Sequence, residues 1–193
     1  MSVRRIAVTG GPGAGKTTVW QALSQRHPDQ VVAVPEVATS LFAHVFPPVQ
    51  NEVERLLVQR SIFTVQHSLE AIHESRALPG QTLLCDRGSP DGGGYWPDGH
   101  EAFFAAMQTR LEDELSRYAA VVFLETAAAK SLSIDHGNPT RTEDLKTAVE
   151  IDRRLVAVWS NHPRFTHIPC QQDFSDKVEL ATSALSKLVD AST

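Results

Sequence analysis

Thr9-Gly10-Gly11-Pro12-Gly13-Ala14-Gly15-Lys16-Thr17-Thr18 decides how this chain is read. The stretch fits G-x-x-x-x-G-K-[ST], with Gly10 and Gly15 as the fixed glycines and Lys16-Thr17 closing the pattern. Glycines let the backbone curl so that successive N–H groups converge on phosphate oxygens. A helix starting at the end of the loop adds its own free N–H groups and the positive end of its dipole. Lys16 is expected to reach the β- and γ-phosphates of a nucleotide, and the Thr17 hydroxyl to complete the shell of a magnesium ion. The expected nucleotide-binding residues are therefore Gly10, Gly11, Pro12, Gly13, Ala14, Gly15, Lys16, Thr17 and Thr18.

The flanks agree with the motif. Residues 3–9 form a short β-rich run, and after Lys16 the residues Val19, Ala22, Leu23 and Arg26 fall at helical spacing before Pro28. Strand, loop, helix is the context that the pattern requires.

The whole chain sets wider bounds. At 193 residues it suits one α/β domain with a real core, and a hydrophobic content of 41% is ordinary for a soluble globule. A net charge of −5 with no basic run argues against nucleic acid or an anionic membrane surface as partner. No apolar run is long enough to span a bilayer, and the first residues lack a signal-peptide core. Cys85 and Cys170 suit a reducing, cytoplasmic setting, with Cys85 read as a small buried hydrophobe.

Further strands are expected at residues 30–34, 82–85, 119–124 and 165–168, each a compact apolar run. Helices are expected at 37–46, 51–77, 100–115, 142–159 and 175–189. Asn51 and Thr142 are read as caps, and Val53, Leu56, Leu57, Phe63, Leu69 and Ile72 as the apolar stripe of the longest helix. Residues 88–99, rich in Gly, Pro and Asp, read as a loop, and 126–141 as a flexible segment. Alternating strands and helices imply a five-stranded parallel sheet covered on both faces, a three-layer αβα arrangement. Ligands then gather at the strands' C-terminal ends.

Several side chains reach that rim. Asp86 ends the third strand and offers a carboxylate to the magnesium ion beside Thr17. Arg87 can grip an acceptor or pair with a neighbouring carboxylate. Glu36 can orient or deprotonate an acceptor hydroxyl, or simply favour the start of a helix. Asp91, Tyr95 and Trp96 lie in the Gly-rich segment, where the two aromatics can stack on a flat substrate or anchor the loop. Arg141, after the flexible stretch, is placed to fold over a triphosphate, with Arg153 and Arg154 as competitors. His136, His162 and His167 show no metal spacing and read as loop or surface residues. No Asn-Lys-x-Asp signature of guanine-specific switches is present, which favours ATP.

The first motif, then Val34-Pro35-Glu36-Val37-Ala38, then Asp86-Arg87-Gly88-Ser89-Pro90-Asp91 with Tyr95-Trp96, resembles the small P-loop family of AAA-type ATPase domains. Relatives include the ribosylnicotinamide kinase domain of the bacterial NAD regulator. Residues 159–165 and Asp173-Phe174 with Lys177 resemble the C-terminal end of that family. The resemblance implies a P-loop NTPase with a kinase-like core and sheet order 2-3-1-4-5. It also implies ATP and magnesium at residues 10–18, Glu36 and Asp86-Arg87 on the acceptor side, and Arg141 as the lid arginine. Gly92-Gly93-Gly94 depart from the family pattern as a looser loop, which leaves the acceptor open.

Two functions are expected from these features, ahead of a third, a binding module without turnover, which the intact Lys16, Thr17 and Asp86 set disfavours. The first is magnesium-dependent transfer of phosphate from ATP to a small hydroxyl- or phosphate-bearing acceptor such as a nucleoside or nucleotide. The chain is then one kinase-like domain over 1–193 with a lid near 126–142, and Lys16, Glu36, Asp86 and Arg141 carry the chemistry. The second is a regulatory ATPase in which hydrolysis moves residues 88–99 and a protein partner reads the change.

Overall fold

The computed structural model describes residues 3–130 and 144–190. Strand β1 (Arg4–Gly10) runs into the glycine-rich loop, and helix α1 (Lys16–Arg26) follows. Then come β2 (Val31–Val34), α2 (Val37–His44), the long α3 (Glu52–Arg76) and β3 (Thr82–Asp86). A short 3-10 turn at Ser89–Asp91 leads to α4 (Gly92–Tyr95), α5 (Gly99–Ala106) and α6 (Leu111–Ser116). The chain ends with β4 (Ala120–Leu124), α7 (Leu145–Trp159), β5 (Phe165–Ile168) and α8 (Phe174–Asp190).

The five strands among the described residues are all parallel, in the order β2-β3-β1-β4-β5. The period of two along each strand splits the core into two layers. Ile6 and Val8 of β1, with Leu84, Val122 and Leu124, pack against α1 and α8 through Val19, Leu23, Ala181 and Leu185. Ala7, Leu83, Cys85, Val121 and Phe123 face the other way, onto Phe103, Leu155, Val158 and Trp159. The expected three-layer αβα P-loop fold and sheet order are therefore present. No helix among the described residues is long and apolar enough to cross a membrane.

Three expected elements differ. Residues 88–99 are not an open loop: Ser89, Pro90, Asp91, Gly93, Gly94 and Trp96 are buried, and the segment is largely helical. Its glycines reflect crowding. α4 is wedged between α5 and α7, so a Cβ at Gly92 would strike the Phe103 ring, and one at Gly94 would lie 2.6 Å from Leu155 Cδ2. The helix expected over 100–115 breaks at Gln108, which takes φ 57 while Thr109 N–H bonds back to Phe104 O. The stripe read along α3 is also rotated. Leu56, Phe63 and Leu69 pack on the core, but Val53, Leu57 and Ile72 are exposed. The inward face carries Gln59, Gln66 and Glu70 instead, with Glu70 satisfied by Arg117 and Tyr118. Asn51 caps α3 by accepting from Glu54 N–H. Asp144 caps α7 in the same way, and Thr142 lies outside the described residues.

Phe103 is fully buried and ringed by Phe63, Trp96 and Phe104, so it has no room to yield. Gly92→Ala is accordingly expected to destabilise the fold by about 1–3 kcal/mol through overpacking. Urea denaturation should show a lowered midpoint at unchanged slope; an unshifted midpoint would contradict the wedge.

Candidate functional site

The loop between β1 and α1 opens a cleft of about 1940 Å³ at the C-terminal edge of the sheet. Gly15 takes φ +85, which a side chain resists, and a Cβ there would meet the Phe174 ring at 2.5 Å. The phosphate loop is thus shaped by backbone conformation and pressed on by the start of α8. Lys16 is buried and donates to Gly11 O at 2.9 Å, folding over the loop. The Thr17 hydroxyl donates to Asp86 Oδ2 at 2.8 Å. Pro12, Gly13, Ala14 and Thr18 line the same cleft; Gly10 and Gly11 sit behind it, against Leu124 and Asp152.

The acceptor-side residues are brought together tightly. Arg87 follows β3 with φ 75, a left-handed conformation that costs about 1 kcal/mol for a side-chain-bearing residue. That conformation is offset by its partners. Its Nε bonds Glu36, its NH1 donates to Asp91 Oδ2 at 2.8 Å, and its guanidinium lies 5.5 Å from the centre of the Tyr95 ring. Asp91 is itself a hub: Oδ1 accepts from Thr9 Oγ1 at 2.7 Å and from Trp159 Nε1 at 2.7 Å. Asp91 therefore holds Arg87 rather than presenting free oxygens. Trp96 is a correction. It is 4% exposed, packs edge-on against Phe103 and does not line the cleft, whereas Tyr95 does.

Charge is unevenly shared across this floor. Burial alone would raise the Glu36 carboxyl, but Arg87, Lys16 and the Thr39 hydroxyl outweigh it and hold it at about 2. Asp86 moves the other way. Burial, and then the Glu36 carboxylate, push it up to about 6 against Lys16, the Thr17 hydroxyl and Arg87. Burial, and then Arg87, lower Lys16 to about 8. Asp86 Oδ1 is buried with no hydrogen-bond partner among the described residues.

Of the other candidates, Arg141 and His136 lie outside the described residues. Arg153 is exposed and paired with Glu150. Arg154 does line the cleft, tethered to Glu150 and to Trp96 O. His162 is not a surface residue: it is 5% exposed and bonds Tyr118 O and Arg164 N–H. Cys85 is buried in the core, as expected. The sequence reading missed Asp152 and Thr126, and gave no role to Lys177; all three grip the phosphate loop from behind. Asp152 left one signal: a carboxylate on the same face of α7 as Ala148, Leu155 and Trp159.

A phosphate loop on a parallel sheet, with a helix N-terminus, a lysine and a Thr–Asp pair around it, defines a nucleotide-binding P-loop protein of kinase-like fold. The chain belongs to the AAA domain family, whose sequence pattern matches residues 5–177. No curated protein sequence matches it. Its fold is similar to deoxyadenosine kinase from M. mycoides, determined with bound dATP. The TM-score is 0.65 at 12% identity, over 95% of this chain and 99% of that one.

Glu36→Gln tests the electrostatic account. A carboxyl held below its ordinary value of 4.5, here at about 2, adds stability above that value and loses it as the pH falls. The stability gap between wild type and Glu36→Gln is therefore expected to be full above about pH 5 and to shrink toward pH 2. Urea denaturation at neutral pH and near about pH 3 reads the gap; one independent of pH would refute the assignment.

Proposed function

We propose that this chain is an ATP-dependent phosphotransferase whose acceptor is a small hydroxyl-bearing molecule, with nucleosides the first class to test. One observation carries the reading: the Glu36–Arg87 pair faces the same cleft as Lys16, Thr17 and Asp86. A phosphoryl donor and an acceptor seated there would meet at the C-terminal edge of β1 and β3.

The charge balance favours a hydroxyl over a phosphate acceptor. Around the transfer point stand the carboxylates Glu36, Asp86 and Asp91 against the cations Lys16 and Arg87. Arg87 is already bonded to two of those carboxylates. Its guanidinium is thus committed to protein carboxylates instead of an incoming phosphate, whereas a neutral hydroxyl can donate to Glu36. With its pKa so low, Glu36 is a weak base and a good hydrogen-bond acceptor, so its main task is orientation. Deeper in the cleft, the buried amides of Gln59 and Gln66 lie beside Phe63 and Ile62, a lining suited to a flat ring with polar edges.

On the donor side the loop amides and Lys16 would hold the polyphosphate, and half-exposed Phe174 offers a face for the base. Magnesium fits the residues present. The Thr17 hydroxyl and Asp86 would hold it, and the partnerless Asp86 Oδ1 is a buried oxygen that a cation would satisfy. When bound, the ion neutralises charge on the β- and γ-phosphates. We assign the lid role to Arg141, with Arg154 as the arginine already at the rim. The regulatory-switch reading rested on residues 88–99 as a mobile loop, and their buried, helical packing removes that support.

Incubation with ATP, magnesium and a panel of nucleosides and nucleotides is expected to yield a phosphorylated nucleoside. Lys16→Ala should lower the rate by about 100-fold or more. Glu36→Gln should lower kcat more than it raises KM. Hydrolysis alone, with no acceptor phosphorylated across the panel, would defeat the proposal.

A further inference from the structure

The phosphate loop is anchored from the side facing away from the cleft by residues outside the motif, and one of them, Asp152, ties several elements together. Asp152 sits on α7 and is buried. Its Oδ1 accepts two backbone N–H bonds, from Gly11 at 2.9 Å and from Thr126 at 2.9 Å. Gly11 occupies a variable position of the motif, yet a Cβ there would lie 2.5 Å from Asp152 Oδ1 and 2.8 Å from its Cβ. Thr126 in turn donates its hydroxyl to Pro12 O. One carboxylate oxygen therefore ties the first turn of the loop to the segment after β4 and to the middle of α7.

Lys16 and Lys177 attract the Asp152 carboxylate, but toward an anionic ligand its charge is no advantage. A carboxylate beside a phosphate loop opposes an anionic ligand, and burial raises the Asp152 carboxyl above its ordinary range. The benefit has to be geometric. Two amides that would otherwise be buried without partners are satisfied, and the loop is fixed before any ligand arrives.

We propose that Asp152 is a positioning residue for nucleotide binding, acting through the Gly11 and Thr126 amides to hold the phosphate loop in its receiving shape. The same helix presents Lys146, Thr147, Glu150 and Arg154 to the cleft. Asp152 thus makes the loop and the α7 wall one unit. The inference rests on the nucleotide reading above.

Two substitutions separate geometry from charge. Asp152→Asn keeps an oxygen acceptor and removes the charge; Asp152→Ala leaves both amides without a partner. By calorimetry with ATP and magnesium, Asp152→Asn is expected to bind at least as tightly as wild type. Asp152→Ala should bind about 10- to 100-fold more weakly. Asp152→Ala binding like wild type, or Asp152→Asn weakened as much as Asp152→Ala, would overturn the proposal. Amide hydrogen exchange on the unliganded protein decides the point without nucleotide. Gly11 and Thr126 should be protected in wild type and Asp152→Asn and exchange rapidly in Asp152→Ala, with the strand amides unchanged. If Asp152→Ala does not fold, fast exchange at those two amides in wild type still overturns the proposal. A wild type that binds no ATP counts against the nucleotide reading, while exchange at Gly11 and Thr126 still decides the role of Asp152.

Discussion

One buried carboxylate, Asp91, holds the two halves of the site in register. It is 5% exposed and accepts from Thr9 on β1, from Trp159 on α7 and from Arg87 after β3. Removing a carboxylate from water is costly unless its lone pairs are filled and a cation stands close. Here one cation and two neutral donors meet that condition. The three donors come from elements far apart in sequence, so this network can form only once the sheet and α7 are assembled. Arg87 depends on it most, because its left-handed backbone would otherwise be unfavourable.

From that anchor the charges of the cleft floor follow. Arg87 is bound on one side by Asp91 and on the other by Glu36, which keeps the Glu36 carboxyl ionised. The ionised Glu36 then helps to push Asp86 upward, after burial, while Asp86 stays bonded to the Thr17 hydroxyl. Two carboxylates on adjoining strand ends thus acquire opposite tendencies, Asp86 chiefly from burial and Glu36 from its pairing with Arg87. That separation is compatible with the proposed roles, in which Asp86 would face a cation and Glu36 would accept a hydrogen bond from a hydroxyl.

The sequence made the sheet and the phosphate loop legible because both rest on local signals. β-branched runs bounded by turn residues fix the strands, and the Gly10 to Thr18 spacing has few other physical uses. Tertiary contacts decided what was misread. Gly92, Gly93 and Gly94 carry the composition of a loop, yet they are glycines because α5 and α7 leave no room for a Cβ. Trp96 looked like a stacking platform and is a core residue, packed edge-on against Phe103 within the apolar cluster. On α3 the apolar pattern pointed the wrong way because the inward face borders the cleft, where Gln59 and Gln66 are buried without belonging to an apolar core.

The strand order explains why these pieces can cooperate. β1 lies at the centre of the sheet, with β3 on one side and β4 on the other. The chain leaves β1 for β2 and later crosses to β4, so a crevice opens above the β1 edge. Glu36 after β2, Asp86 and Arg87 at the end of β3, and Thr126 after β4 all project from that one edge, although ninety residues separate the first from the last in the chain. The phosphate loop occupies the middle of the row. An acceptor on the β2–β3 side, as proposed, and a nucleotide held by the β1 loop would therefore be neighbours by topology, with side chains left only to refine the distance between them.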